Sequence, residues 1–276
     1  MKKTILILGT ILGLFSCSKY QAPPGSSNPV EQSSTAQVNS IALYSPVSKN
    51  LTKYLFAYDA NGNFIRLSYS SYDTAGGVAT LDTGAYYFII DPSTRLASSY
   101  TLVWNKANTG AASETHDLFF DDQKRLIKDT LITGQASSGD NASFSFLYPA
   151  GGIVSYRYTM NAYDSVNKTN GWGVSGIDSI NLSNGNIRTQ YEYAQNGSAW
   201  VMAYSYVVKN YSLYANPLHG LDQFSGLGAL LRNYNALDCI SKSLPADGMT
   251  SWTADANGRV MSGLGADGSI TTYTYK

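Results

Sequence analysis

The feature that most constrains this chain is a two-residue alternation of apolar and polar side chains. Aromatic residues take every second position in the segment 53–58, and the same spacing returns at Tyr156/Tyr158/Met160, Tyr191/Tyr193, Tyr204/Tyr206/Val208 and Tyr273/Tyr275. Successive side chains of a β-strand point to opposite faces of a sheet, so this period indicates strands rather than helices. The intervening positions carry Ser, Thr, Arg, Gln or Glu, which predicts an aromatic face towards the core and a polar face towards water.

Turn sequences separate these segments at regular intervals. They start at residues 59, 91, 121, 149, 183 and 255, and successive starts are 32, 30, 28, 34 and 72 residues apart. Asn-Gly pairs supply the positive φ that tight hairpins need, and Asp or Ser side chains bond to the backbone of such turns. The pattern therefore predicts a hairpin that recurs every thirty-odd residues. The last interval is twice as long as the others, so one turn within it is disguised by an altered sequence.

The disguised unit is centred near residue 219. Pro217 and Gly220 interrupt the strand pattern, and Leu227, Leu230, Leu231 and Tyr234 then follow at helical spacing. This spacing predicts a short helix near 221–235. Two turns, at 120–124 and 148–152, depart from the repeat, so the register of the middle hairpins stays open.

The fold class that follows is all-β. We expect an antiparallel meander of about a dozen strands, ending in strands at 249–253, 259–264 and 269–275. A long open sheet would expose two strand edges, which favours a curved or barrel-like sheet. Residues 40–276 are predicted to form this single domain.

The N-terminus reads as an export and anchoring sequence. Residues 1–16 hold two lysines and an apolar stretch too short to span a bilayer, and they lead directly to Cys17. The arrangement resembles the lipobox of bacterial lipoproteins, which implies a lipid on Cys17; an ordinary secretory signal is the alternative. The segment 17–39 is rich in Ser, Pro and Gln and is predicted to be a disordered tether. Localisation in the cell envelope at the outer membrane follows, with the periplasmic face favoured because no acidic cluster follows Cys17.

The charge balance excludes one class of partner. The chain has 19 basic and 19 acidic residues, and only 14% of its residues are charged. Nucleic-acid binding is not expected from such a chain. With two cysteines and two histidines, neither a metal site nor a cofactor is expected. If Cys17 carries lipid, Cys239 has no disulfide partner, and its apolar neighbours predict a buried, inert thiol.

The hairpins carry a resemblance to a known family. The features are Tyr58 to Gly62, the segment 216–218 before an apolar helix, the segment 241–245, the segment 255–260 and Thr272 to Tyr275. Over residues 50–276 the chain resembles secreted bacterial lipoproteins of unassigned function with a porin-like fold, and its hairpins are similar to the Tyr-Asp repeats of Rhs-type proteins. The resemblance implies an envelope lipoprotein with a barrel-like sheet, and it assigns no catalytic residue.

The candidate catalytic and metal-binding residues of the sequence favour a non-catalytic binding or structural module. Glu114 and His116 share a strand face, but we expect the histidines to be solvated, and two Asp-Ala-Asn-Gly turns lack the glutamate that would complete a calcium loop. A glycan-processing hydrolase is the first alternative, since it would need only two converging carboxylates. A membrane-embedded β-barrel is the second.

Trp172 is the candidate ligand contact. It lies between two glycines, and aromatic rings can stack on sugar rings or accept a peptide strand, so the expected partner is a glycan or a protein. Trp104 and Trp200 are expected in the core. Asp-Ser/Thr-aliphatic triplets also make four residues candidates for O-glycosylation, namely Thr74, Thr130, Ser165 and Ser179.

Overall fold

The protein is almost entirely β-sheet. The computed structural model describes residues 37–73, 79–107, 110–134, 142–164, 169–219, 221 and 237–276. Its strands are β1 (Val38–Ser45), β2 (Asn50–Tyr58), β3 (Phe64–Asp73), β4 (Thr80–Ile90), β5 (Ala97–Lys106), β6 (Gly110–Phe120), β7 (Leu126–Gly134), β8 (Ala142–Leu147), β9 (Gly152–Asp164), β10 (Thr169–Ser183), β11 (Asn186–Asn196), β12 (Ala199–Val207), β13 (Tyr211–Ala215), β14 (Ser243–Pro245), β15 (Met249–Ala254), β16 (Val260–Gly265) and β17 (Ile270–Tyr275).

Fifteen of these strands form one antiparallel sheet. Strands β1 to β12 lie side by side in sequence order, which confirms the predicted meander. The three C-terminal strands do not continue it beyond β12; instead β17 pairs with β1, with Ile41 opposite Tyr273, and β16 and β15 follow outwards. The sheet is open: among the described strands, β12 and β15 are its two edges.

A bridge of chain connects the two edges. Beyond β12 the chain forms the two-stranded sheet β13–β14 and then enters β15. On one side the bridge bonds to the turn before β11, where the Lys242 amide donates to the Gly185 carbonyl at 3.1 Å. On the other side the Trp252 indole of β15 donates to the Pro245 carbonyl at 3.0 Å. Because one short segment reaches both sides, the sheet is curved.

The concave face of the sheet holds the core. One cluster of buried side chains runs from β1 to β11, includes β16 and β17, and takes in Leu237, Cys239 and Leu244 from the bridge. A series of ring contacts crosses β2 to β5, with centroids 6.0 Å apart for Phe56 and Phe64, 5.2 Å for Phe64 and Phe88, and 5.7 Å for Phe88 and Tyr100. The predicted inward aromatic face is therefore confirmed in these strands, and so is the burial of Cys239.

The prediction for the tyrosines of β9 and β11 is wrong. Ile153, Ile180 and Ile187 are buried at the end of the sheet that the bridge covers. Alternation from Ile153 carries Ser155 to the core side and Tyr156 to the outer face. In β11 the pairing of Thr189 with Asn181 puts the tyrosines of that strand on the outer face as well. The isoleucines near the turn, not the tyrosines, decide which face is buried.

The predicted turns form at one end of the sheet by a shared set of bonds. A carboxylate oxygen of the first residue accepts two backbone N–H groups of its own turn, at 2.7–3.3 Å, in the turns that begin at Asp59, Asp91, Asp121 and Asp255. These N–H bonds help to hold the pKa of each carboxyl below its usual range. The turn at 121 thus follows the repeat, although its sequence departs from it.

Tyrosine hydroxyls from neighbouring segments of the sheet form hydrogen bonds that hold these hairpins together. The Tyr148 hydroxyl donates to the Leu126 carbonyl at 2.7 Å, and the Tyr275 hydroxyl donates to the Val260 carbonyl at 2.8 Å. An arginine stacks on each ring, with the guanidinium carbon 4.7 Å from the ring centroid for Arg125 and 5.3 Å for Arg259. The abundance of tyrosine next to the turns therefore has a structural cause.

Two sequence predictions fall outside these residues. Apart from Leu221, which is buried, the predicted helix near 221–235 lies outside the described residues, as do the predicted signal segment and Cys17. Strand β1 starts at Val38, inside the last residues of the predicted tether.

The turn at 121 allows a test of the repeat. Lys124 has φ of 60° at the position that Gly62 and Gly258 occupy in the related turns. Lys124→Gly should raise the free energy of unfolding by up to about 1 kcal/mol, because a residue with a Cβ is strained in the left-handed region. The control Lys128→Gly, in the middle of β7, should lower it by roughly 0.5–1 kcal/mol. Urea unfolding measures both, and equal destabilisation by the two glycines would contradict this account of the turn.

Candidate functional site

The densest group of titratable side chains lies inside the core. Tyr100 of β5, Glu114 and His116 of β6 and Asp129 of β7 all point to the concave face, and none is more than 3% exposed. His116 Nδ1 lies 2.6 Å from Asp129 Oδ1, and its Nε2 lies 3.3 Å from Glu114 Oε1. The Tyr100 hydroxyl donates to Asp129 Oδ2 at 3.0 Å, and its ring stacks on the imidazole with centroids 4.6 Å apart. We call these four residues the buried cluster.

The buried cluster favours a proton on the imidazole. Burial by itself would lower the pKa of His116, but the hydrogen bond to Asp129, the close approach of Glu114 and the charges of the two carboxylates outweigh burial and raise the pKa to about 9. Burial also raises the pKa of Asp129, although the hydrogen bonds from His116 and Tyr100 oppose this shift. Removing one member of the cluster would leave buried polar groups of the others without a partner.

The expectation that the histidines are solvated is wrong for His116. Alternation correctly put Glu114 and His116 on one face, but that face is the core side of β6. No sequence pattern identifies Asp129 as the partner, because it lies on the next strand and follows a turn. The four side chains of the buried cluster are sealed from solvent, which suits them to stabilise the sheet from within.

The second histidine is also involved in the structure. His219 is half-buried, and its Nδ1 lies 2.9 Å from the Ile240 carbonyl of the bridge. Burial is the main cause that lowers its pKa below the usual value. Within the described residues, no group of three or more His, Cys, Asp or Glu side chains is arranged to hold a metal ion.

The accessible candidate site lies on the opposite face of the sheet. We define the outer patch as ten outward side chains of β9 to β12, none of them charged: Val154, Tyr156, Tyr158, Trp172, Ile177, Ser179, Tyr191, Tyr193, Trp200 and Met202. Trp172, Trp200 and Met202 are exposed and the other seven are half-buried. Contiguous apolar surface of this kind makes the outer patch a candidate contact surface.

Strand register makes the outer patch continuous. One row crosses four strands, from Tyr156 through Ile177 and Tyr193 to Met202. The next row runs from Val154 through Ser179 and Tyr191 to Ser205. Neighbouring strands in a sheet lie about 4.8 Å apart, so each row places its side chains within contact distance of one another.

Trp172 lies at one end of the outer patch. It belongs to β10 rather than to a loop, it shares a face with Val174, which pairs with Tyr158, and 45% of its surface is exposed. Trp104 is buried, as predicted, whereas Trp200 is 40% exposed because β12 is an edge strand. The sequence thus suggested an exposed Trp172 but missed the tyrosines beside it, since it assigned them to the core.

The candidate modification sites have different surroundings. Ser179 is half-buried within the outer patch. The Thr130 hydroxyl is buried and makes no hydrogen bond within the described residues, so a glycan there would have to be attached before β7 folds. Thr74, Ser165 and the lipidation candidate Cys17 lie outside those residues.

Comparison with known proteins adds little. Neither a family model nor a curated protein matches this chain. A porin-like protein from Bacteroides uniformis is similar in structure, with a TM-score of 0.37 and 12% sequence identity over 87% of this chain and 96% of that one. No helix in the described parts of the chain is long and apolar enough to cross a membrane. Function must therefore be argued from the residues themselves.

The buried cluster predicts a pH dependence of stability. The pKa of His116 lies above its ordinary value in the folded state, so its contribution is complete below about pH 6.5 and is lost as the pH rises through about 9. We expect urea unfolding to show a loss of up to roughly 3 kcal/mol over this range. His116→Gln should remove the dependence, and the control His219→Asn should retain it.

A second measurement uses the wild-type protein, so it remains valid if His116→Gln fails to fold. The chain has two histidines, so nitrogen NMR of the imidazoles separates them in the wild-type protein. His116 should remain an imidazolium at pH 8 and His219 should be neutral. Titration of both rings near pH 6.5 would show that the buried cluster does not hold the proton.

Proposed function

We propose that this chain is a cell-envelope protein, anchored through a lipid on Cys17, that works as a non-catalytic module binding a neutral glycan at the outer patch. The observation that carries the proposal is the outer patch itself. Its aromatic rings are arranged in rows and free of charge, with Trp172 and Trp200 exposed, whereas the densest group of ionisable side chains, the buried cluster, is sealed in the core.

The class of ligand follows from what the outer patch offers. Tyr and Trp rings present flat apolar faces that can lie against the apolar faces of sugar rings, and tyrosine hydroxyls can bond to sugar hydroxyls. No Arg or Lys belongs to the outer patch, so a carboxylated or sulfated glycan would have no partner for its charge there. A neutral, extended polysaccharide fits a surface of rows better than a single small sugar in a pocket would.

Several described carboxylates support the non-catalytic part of the proposal, because Glu114 and Asp129 flank His116 in the core and the turn aspartates accept bonds from their own backbone N–H groups. A hydrolase would instead need two carboxylates facing a common cleft, with one of them able to protonate a leaving group. Asp178 and Glu192 are the pair that the enzyme alternative would use, since they lie opposite each other on β10 and β11, on the face away from the outer patch. Release of reducing sugar from a bound polysaccharide would favour the enzyme alternative.

Trp172 gives the direct test of glycan binding. In affinity electrophoresis against xylan, galactomannan and β-glucan, the wild-type protein should be retarded by at least one of these polysaccharides. Trp172→Ala should weaken that binding tenfold or more, since a few large aromatic residues contribute most of the energy of such a surface and Trp172 is the most exposed ring of the outer patch. Tyr87→Ala is the matched control, because Tyr87 is similarly exposed on distant β4. No retardation by any polysaccharide, or equal losses in both variants, would refute the proposal.

The anchor has a separate test. Cells expressing the wild-type chain should incorporate labelled palmitate into it, whereas Cys17→Ala should abolish the label. Cys239→Ala is the control, since Cys239 is the other cysteine of the chain and is buried. Equal labelling of the wild type and the Cys17→Ala variant would show that Cys17 carries no lipid.

A further inference from the structure

Strand β12 is the least protected part of the sheet. It pairs with β11 alone among the described strands, and eight of its nine residues are exposed. The sequence Ala199–Val207 contains no charge, no proline and no glycine, and it presents apolar or aromatic side chains on both faces. Soluble proteins normally protect such an edge with lysine, proline or a covering segment, because its free N–H and C=O groups pair readily with another strand.

The other edge is shorter. Strand β15 has six residues, and its Trp252 indole donates to the Pro245 carbonyl of the bridge. The two edges of one sheet thus differ, because β12 has nine residues and exposes eight of them.

We propose that β12 pairs antiparallel with β12 of a second copy of this chain, which joins two sheets about a two-fold axis. Self-pairing suits this strand because it has no charge, so no like charges would oppose each other across the axis. A two-fold contact closes after two subunits, whereas pairing of β12 with β15 of another copy would propagate without end.

The dimer would also extend the contact surface of the proposed function. Trp200 and Met202 belong both to β12 and to the outer patch, so the two outer patches become continuous across the axis. The inference deepens the proposed function but does not require a glycan, because the self-association of β12 is measured without one.

Ala203 provides the sharpest variant. It is exposed and is the middle residue of β12, so a charge there would face its own copy when the two strands pair over their full length. Light scattering of the full-length chain in a nonionic detergent should give a dimer for the wild type and a monomer for both Ala203→Lys and Ala203→Glu. Mixing the Lys and Glu variants should restore the dimer through opposite charges. Thr272→Lys, an exposed change on the interior strand β17, should remain dimeric.

The outcomes separate the two proposals. A monomeric wild type, or a dimer that both Ala203 variants leave intact, overturns the pairing of β12 whatever the glycan results are. Restoration of the dimer in the mixture supports it even if no polysaccharide binds. Circular dichroism of each variant checks that the sheet is intact, and the mixing experiment does not depend on any single variant's stability.

Discussion

The register of the antiparallel ladder decides nearly everything about this protein. A shift of one residue would exchange every side chain between the concave and convex faces, so the register must be fixed where one choice is much better than the other. In β9 to β11 that place is the end covered by the bridge, where Ile153 and Ile180 pair in the core. The outer patch is the consequence, because alternation then carries Tyr156 and its neighbours to the solvent side.

The sequence predicts the local part of this arrangement well. Turn chemistry and the two-residue period are local, and they lead to the meander, to the three C-terminal strands and to the inward aromatics of β2 and β17. The pairing of β17 with β1 joins residues more than two hundred positions apart, and no local pattern encodes it. The same holds for Asp129, whose role depends on which residue faces it from β6. The prediction for the tyrosines of β9 and β11 is wrong because a two-residue alternation shows that the two faces of a strand differ. It does not show which of the two faces is buried.

The buried cluster contains ionisable groups, whereas the outer patch is an uncharged surface. Ionisable groups in the core are costly unless their partners are positioned accurately, and such groups can favour one register over its neighbours. His116 with its two carboxylates can pair correctly in only one alignment of β6 and β7. The outer patch has no charges to align, and it can offer a surface of rings to a partner. A chain with few charges can therefore specify its sheet and still leave an uncharged patch on one face.

The pairing of β1 with β17 brings the two ends of the described chain together. Val38 lies opposite Tyr275, and the Lys276 amide bonds to the Gln37 carbonyl at 3.1 Å, at the end of the sheet that carries the aspartate turns. Trp172 lies near the start of β10 and Trp200 just inside β12, both towards the opposite end. Both ends of the described chain therefore lie beside the aspartate turns, and the two tryptophans lie about a strand length away from them.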